Sequence, residues 1–136
     1  MFLVGIAGGS GSGKTTFAQK ILKLVTQELG SGAILHLHQD SYYLPSLPSH
    51  CMVNSKPNFD HPDAFDWQLL QGQLHNLCQH VRIQMPVYDF VKSTRAPETL
   101  SVGPAQACIF DGIYALWSEE LRQLMNLKIY LDVDAD

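Results

Sequence analysis

The stretch GIAGGSGSGKTTFAQKIL, Gly5 to Leu22, decides the fold. Within it, Gly8 to Thr15 packs four glycines and three hydroxyl side chains into eight residues. Glycine at that density opposes both helix and strand, so bare backbone is needed there. The run fits G-x-x-x-x-G-K-[ST], the pattern of a phosphate-binding loop. Backbone N–H groups must converge on phosphate oxygens, and side chains would block that approach. The residues expected to hold a nucleotide are Gly8, Gly9, Ser10, Gly11, Ser12, Gly13, Lys14, Thr15 and Thr16. Lys14 is expected at the terminal phosphates, and the Thr15 hydroxyl on Mg²⁺. The competing reading is a flexible glycine linker. Linkers do not normally stand between a buried strand and an amphipathic helix.

Those two neighbours extend the reading along the chain. Phe2 to Ala7 is a short apolar run and reads as a buried strand. Thr15 to Leu29 carries Phe17, Ile21, Leu22, Val25 and Leu29 at helical spacing, with Gly30 as a stop. Ala33 to His38 reads as a second strand, and Tyr42 to Pro62 as a long loop of the kind that carries function. Asp63 is the predicted cap of a helix whose face holds Phe65, Leu69, Leu70, Leu74, Leu77 and Val81. Arg82 to Phe90 and Thr99 to Val102 suggest a hairpin, and Ala107 to Phe110 a buried strand ending at Asp111-Gly112. Ser118 caps a short helix with Glu119 and Glu120 in its first turn, and Leu127 to Val133 forms a last strand. Strands alternating with helices predict an α/β domain, a P-loop NTPase fold with a mainly parallel sheet and helices on both faces. Residues 1–136 are expected to form that one domain.

Composition removes several function classes. The net charge is −4 and no basic stripe occurs, which excludes a broad nucleic-acid surface. Cys51, Cys78 and Cys108 are odd in number and form no CxxC pair. That argues against a cysteine zinc site and a disulfide framework, and fits a reducing cytoplasmic compartment. No apolar stretch approaches membrane-spanning length, and no leader pattern precedes the first strand.

A nucleotide site needs a carboxylate for its metal. Asp111 is the candidate, at the carboxyl end of a strand where such sheets bind ligands. The alternative is a turn residue in Asp-Gly. Asp40 follows the second strand in the same way, either as a base for an attacking hydroxyl or as a cap. His36 and His38 share one face of their strand and read as packed or hydrogen-bonded histidines. His50, His61, His75 and His80 have no ligand-like spacing, and Trp67 and Trp117 read as packing residues.

Four segments then carry a resemblance. HQDSYY (His38–Tyr43), NFDHPDAFD (Asn58–Asp66), PVYDFVKSTR (Pro86–Arg95) and LDVDAD (Leu131–Asp136) resemble the uridine/cytidine kinases, in the family's order. The resemblance implies transfer of the γ-phosphoryl of ATP or GTP, with Mg²⁺, to the 5′-hydroxyl of uridine or cytidine. It implies Asp40 as general base acting with Lys14, and Asp60 on the ribose hydroxyls. It implies a nucleoside pocket, beside the small hairpin, that includes Tyr43, Phe59, Tyr88, Ser93 and Arg95. Arg95 is open to two readings, a support for the hairpin or a phosphate contact. The partner expected is a small nucleoside, with no nucleic acid or membrane, and with self-association through a sheet edge.

Three departures bear on these expectations. Ser93 stands where the family's H-[ST]-R pattern has histidine. Asp111-Gly112-Ile113 replaces Glu-Gly-Ile, so the shorter carboxylate is expected to reach Mg²⁺ through water. The family's lid, with its phosphate-binding arginines, and its last strand would lie beyond Asp136. Slow turnover by residues 1–136 is the resulting expectation. Two alternatives stand beside the nucleoside kinase: a related kinase for another small hydroxyl compound, and a nucleotide-binding form without turnover.

Overall fold

The first strand, β1 (Phe2–Ala7), is buried from Leu3 onward on both of its faces. A strand buried on both sides needs sheet neighbours on each edge and cover above and below. The computed structural model supplies them and describes residues 1–9 and 11–132. Ser10 of the phosphate loop lies outside the described residues, as does Val133, the expected end of the last strand.

After β1 come α1 (Lys14–Leu29), β2 (Ile34–His38), a two-residue pair β3 (Met52–Val53) and β4 (Lys56–Pro57), and α2 (Trp67–Cys78). Then follow β5 (Ile83–Asp89), β6 (Thr94–Val102), β7 (Ala107–Gly112), α3 (Glu119–Leu124) and β8 (Leu127–Tyr130). The main sheet has the order β2-β7-β1-β8, with every pairing parallel. This is the α/β sheet of a P-loop NTPase. Period-two alternation divides its side chains between two cores. Val4, Ile6, Ile34 and Ile109 face α1, which contributes Ala18, Ile21, Leu22 and Val25. Leu3, Leu37, Cys108 and Phe110 face the other way, toward Leu70, Leu74 and Leu77 of α2 and Leu121 of α3. Helices therefore cover both faces, as the alternation predicted.

β5 and β6 form a separate antiparallel hairpin, with an irregularity between Pro86 and Tyr88. Pro86 has no N–H to give to a ladder, which suits a break at that point. A third core of Tyr43, Ala64, Phe65 and Tyr88, with Phe59 beside it, packs the hairpin against the loop after β2.

Several boundaries differ from those read in the sequence. Asp63 does not cap α2; it sits in a 3₁₀ turn, Pro62–Ala64, whose cap is the His61 side chain accepting from Asp63 N–H. Asp66 is the cap, its Oδ1 accepting from Leu69 N–H at 3.1 Å. Val81 is not on the helix face, because α2 ends at Cys78 and the backbone turns left-handed at His80, φ 60°. On α1, Phe17 and Leu29 lie toward solvent, and only Ala18 is fully buried. The stretch from Tyr42 to Pro62 is not one open loop, since it holds a 3₁₀ turn at Ser49–Cys51 and the β3–β4 pair. β7 runs on through Asp111-Gly112, so these two are strand residues paired with β1, and Asp111 also with β2. The turn alternative for Asp111 is thereby removed. Among the described residues, no helix is long and apolar enough to cross a membrane.

Candidate active site

β1 ends at the phosphate loop, and the loop's backbone explains its glycines. Gly11 and Gly13 have φ of 80° and 85°, left-handed values that L side chains rarely adopt. Gly13 is also the N-cap of α1 and offers no side chain to the helix's first N–H groups. No acidic residue stands in the first turn. The positive end of the helix is therefore left for an external anion. Ser12 Oγ is buried with no hydrogen-bond partner, and Thr15 and Thr16 are exposed in the first turn. Lys14 is half-buried and makes no ion pair among the described residues. Unpartnered donors, a free ammonium and an uncompensated helix end together fit nucleotide phosphates.

Asp111 points to the same face of the sheet as α1. It is 2% exposed, and each of its carboxylate oxygens meets a histidine of β2: Oδ2 with His36 Nε2 at 2.6 Å and Oδ1 with His38 Nδ1 at 3.1 Å. Burial alone would raise its pKa, but the two histidine hydrogen bonds outweigh burial and hold it at about 2. The His38 pKa moves the other way. The Asp111 hydrogen bond raises it, burial opposes, the charges of Asp111 and Asp40 add to the rise, and Lys14 counters it. His38 thus lies within electrostatic reach of the phosphate loop, Asp40 and Asp111 together.

From His38 a cleft of about 290 Å³ runs along the hairpin, lined by Asp40, Met85, Pro86, Tyr88, Phe90 and Leu100 among others. Asp40 is exposed in a 3₁₀ turn, Gln39–Tyr42. Its contact with the Tyr43 hydroxyl, 3.5 Å, is long and leaves the carboxylate loosely held. Tyr43 stacks on Phe65 with centroids 4.5 Å apart, and meets Phe59 at 4.8 Å and Tyr88 at 5.2 Å. Burial, then the charges of Asp40 and Asp60, push its pKa up, so Tyr43 sits between the two carboxylates as a neutral phenol. The Tyr88 hydroxyl is buried and has no partner. A buried hydroxyl without a partner carries a desolvation penalty, which a ligand relieves only where the cover over the ring moves aside.

Asp60 is exposed in a second cleft, with Gly8, Gly9, Ile113, Tyr114 and Tyr130. Its backbone is fixed from both sides: its N–H donates to Asn58 Oδ1, and its carbonyl accepts from the Tyr114 hydroxyl. The side chain is free to meet a ligand beside the phosphate loop. Arg95 lies elsewhere. It donates to the Tyr43 carbonyl at 3.1 Å and to Asp66 Oδ2 at 3.2 Å, tying the hairpin to the cap of α2. These contacts are the ones the supporting reading expects. Ser93 is exposed at the hairpin turn with φ 53° and does not line the cleft.

The hydrogen-bonded reading of His36 and His38 holds, with Asp111 as the partner the sequence did not name, while Phe90 on the hairpin and Tyr114 beside Asp60 were not among the candidates. The histidine alternation was a visible signal, since β2 pairs with β7 in a register that sets His38 opposite Asp111. Phe90 and Tyr114 have no spacing signal, because long-range contacts bring them in.

Comparisons with known proteins bear on the family. The model of the phosphoribulokinase / uridine kinase family matches residues 3–136. A uridine kinase of Lactobacillus helveticus is 44% identical over 134 residues, covering 98% of this chain and 62% of the relative. A uridine-cytidine kinase 2-B of Danio rerio is 38% identical over 140 residues, 99% of this chain and 54% of its own length. The chain thus spans under two thirds of these relatives. Among solved structures, one described as a possible uridine kinase from Bacillus stearothermophilus superposes with a TM-score of 0.76. That likeness, at 20% identity over 98% of this chain and 71% of the other, speaks for the fold alone. The chain belongs to the phosphoribulokinase / uridine kinase family.

Proposed function

We propose that this chain carries the nucleotide and nucleoside sites of a kinase that phosphorylates the 5′-hydroxyl of uridine or cytidine from ATP or GTP. The observation that carries this reading is the position of His38, which hydrogen-bonds Asp111 of the sheet at 3.1 Å and lines one cleft with Asp40 beside the unpartnered glycine-rich loop. Loop amides, Ser12 Oγ and Lys14 would gather the phosphates. The ribose would rest on Asp60, whose two oxygens can accept both protons of a cis-diol. The base would lie along Tyr43, Phe59, Tyr88 and Phe90, with the Tyr88 hydroxyl gaining a partner. Asp40 would accept the proton of the 5′-hydroxyl as its oxygen bonds to the γ-phosphorus. The bond from that phosphorus to the β,γ-bridging oxygen then breaks and the nucleoside diphosphate leaves. Mg²⁺, when bound, would neutralise the β- and γ-oxygens, held by the Thr15 hydroxyl directly and by Asp111 through water.

A second reading, nucleotide and nucleoside binding with little turnover, has its own support in the arginines. Arg82 donates to Ser101, Arg95 to Tyr43 and Asp66, and Arg122 to the carbonyls of Leu116 and Trp117. The contacts of the three arginines thus lie away from the phosphate loop among the described residues, with Arg95 Nε buried and unpartnered. An arginine neutralising the moving phosphoryl contributes about 10³–10⁵ in rate. A coupled assay of diphosphate release with uridine, cytidine, pantothenate and fructose separates the readings. Release that depends on a pyrimidine nucleoside supports the kinase. Saturable nucleoside binding without release favours the second reading, and release with another hydroxyl compound alone overturns the substrate assignment.

A further inference from the structure

A second cluster of chemically able side chains lies away from the phosphate loop. His50 and Cys51 belong to the 3₁₀ turn Ser49–Cys51, directly before β3. The chain then reverses at Asn54-Ser55, both with left-handed φ, 52° and 63°, as a two-residue hairpin turn requires. β4 returns antiparallel to β3, and Asn58 N–H donates to the Cys51 carbonyl at 2.7 Å. This folding back sets His61 beside the pair. One ring nitrogen of each histidine and Cys51 Sγ all lie within 4.8 Å of one another. The two rings meet edge to face with centroids 5.3 Å apart.

We propose that His50, Cys51 and His61 form a binding site for a borderline-soft transition-metal ion, zinc(II) above all. Two imidazoles and one thiolate suit zinc and do not suit Mg²⁺ or Ca²⁺, which prefer oxygen. Four-coordinate zinc with bonds of about 2.0–2.3 Å needs ligand atoms roughly 3.3–3.7 Å apart. The present spacing, within 4.8 Å, would have to close by about 1 Å through side-chain rotation to give that geometry. Asp63 is the supporting residue. Its Oδ2 accepts from His50 Nε2 at 2.7 Å, and its backbone N–H donates to His61 Nδ1 at 3.0 Å. The carboxylate on His50 is the outer partner that metal-binding histidines use, whereas His61 Nδ1 must give up the Asp63 N–H, as ligand or as proton carrier, when the ring turns to a metal. The thiol is fully buried at the back, and His50 is exposed at the front, which gives an ion a way in. Metal binding would displace the thiol proton to solvent. It would also close the segment from 50 to 61, which carries Phe59 and Asp60 of the nucleoside pocket. Cysteine spacing gave no hint of this, because the ligands stand ten residues apart and no CxxC is involved.

The test uses the metal alone on the whole 136-residue chain. The chelator-treated protein is titrated with cobalt(II), followed by absorbance, and then with zinc(II). The expected result is one equivalent of cobalt with a near-ultraviolet thiolate-to-metal charge-transfer band, removed by zinc and not by excess Mg²⁺. The band isolates this site, because the His36–His38–Asp111 group has no sulfur. Cys51→Ser should abolish the band. His50→Ala, at an exposed ring, should weaken cobalt binding by at least about 10-fold, and Asp63→Asn by roughly 10-fold or more. Absence of the band overturns the proposal, as does its persistence in Cys51→Ser. Should that buried substitution fail to fold, an unchanged affinity in His50→Ala overturns it equally.

Discussion

Replacing Tyr88 with phenylalanine should make the free protein more stable and its nucleoside binding weaker. The opposite signs are the point of the experiment. In the structure the Tyr88 hydroxyl is buried without a partner, and the residue as a whole is 8% exposed. An unsatisfied buried hydroxyl costs roughly 1–3 kcal/mol of desolvation. Removing it recovers part of that, less the packing contacts of one oxygen, for a net gain of about 1 kcal/mol. In a domain of this size that raises the melting temperature by about 4 °C. In the binding mode proposed above, the ring's cover opens and the hydroxyl gains a hydrogen bond, worth about 0.5–1.5 kcal/mol net. Its loss should weaken uridine binding by roughly 2–10-fold. Differential scanning calorimetry of both proteins, with and without uridine, gives the stability and the ligand shift together. Isothermal titration gives the affinity. A fall in melting temperature would mean that the hydroxyl has a structural partner. An unchanged uridine affinity would refute its assignment to the nucleoside site.

Other perturbations reach the remaining parts of the site. Lys14→Ala should abolish measurable Mg·ATP binding and leave the thermal melt unchanged, because the ammonium has no ion pair to lose among the described residues; a melt that collapses with the binding contradicts this. Asp40→Asn should lower kcat by ~10²–10⁴-fold, and Asp60→Asn should raise KM for uridine with kcat little changed. Phosphorylation of 2′,3′-dideoxyuridine as well as uridine would remove the ribose role of Asp60. The pH dependence of folding should report the Asp111 contacts. Held at about 2 from an ordinary value near 4, Asp111 contributes about 2 kcal/mol that is present above pH ~4 and lost as pH falls toward 2. His38, with a raised pKa, contributes most below its ordinary value of 6.5 and loses that as pH rises through the folded value. Chemical unfolding from pH 2 to 8 should therefore peak between about 4 and 6.5, and Asp111→Asn should flatten the acid limb.

What the sequence disclosed and what it hid differ by the range of the interaction. The phosphate loop was legible because its function is carried by local backbone: Gly11 and Gly13 need left-handed φ whatever packs around them. β1 and the core of β7 were legible because burial on both faces leaves no room for polar alternation. The cap of α2 was not, although both candidates are aspartates in one short run. Asp63 is drawn into a 3₁₀ turn by His61, while Asp66 is held by Leu69 N–H and by Arg95, which arrives from 29 residues away. Local propensity cannot choose between two equal caps when a distant arginine decides.

The same reasoning explains why Asp111 was read with a turn as its alternative. Asp-Gly is a turn dipeptide by local chemistry, and a carboxylate in a central strand would ordinarily be excluded by its desolvation cost. β2 meets that cost with His36 and His38 on the one face that Asp111 presents, and β1 holds the backbone in register from the other side. A tertiary arrangement of charge therefore overrides a local preference, and it does so at the carboxyl edge of the sheet beside the phosphate loop. The two histidines do more than stabilise a strand. They hold both Asp111 oxygens in fixed directions, so the position of that charge relative to Lys14 is set before any nucleotide arrives. A carboxylate held in fixed directions needs little reorganisation to receive a cation, which is what the metal role proposed for Asp111 requires of it.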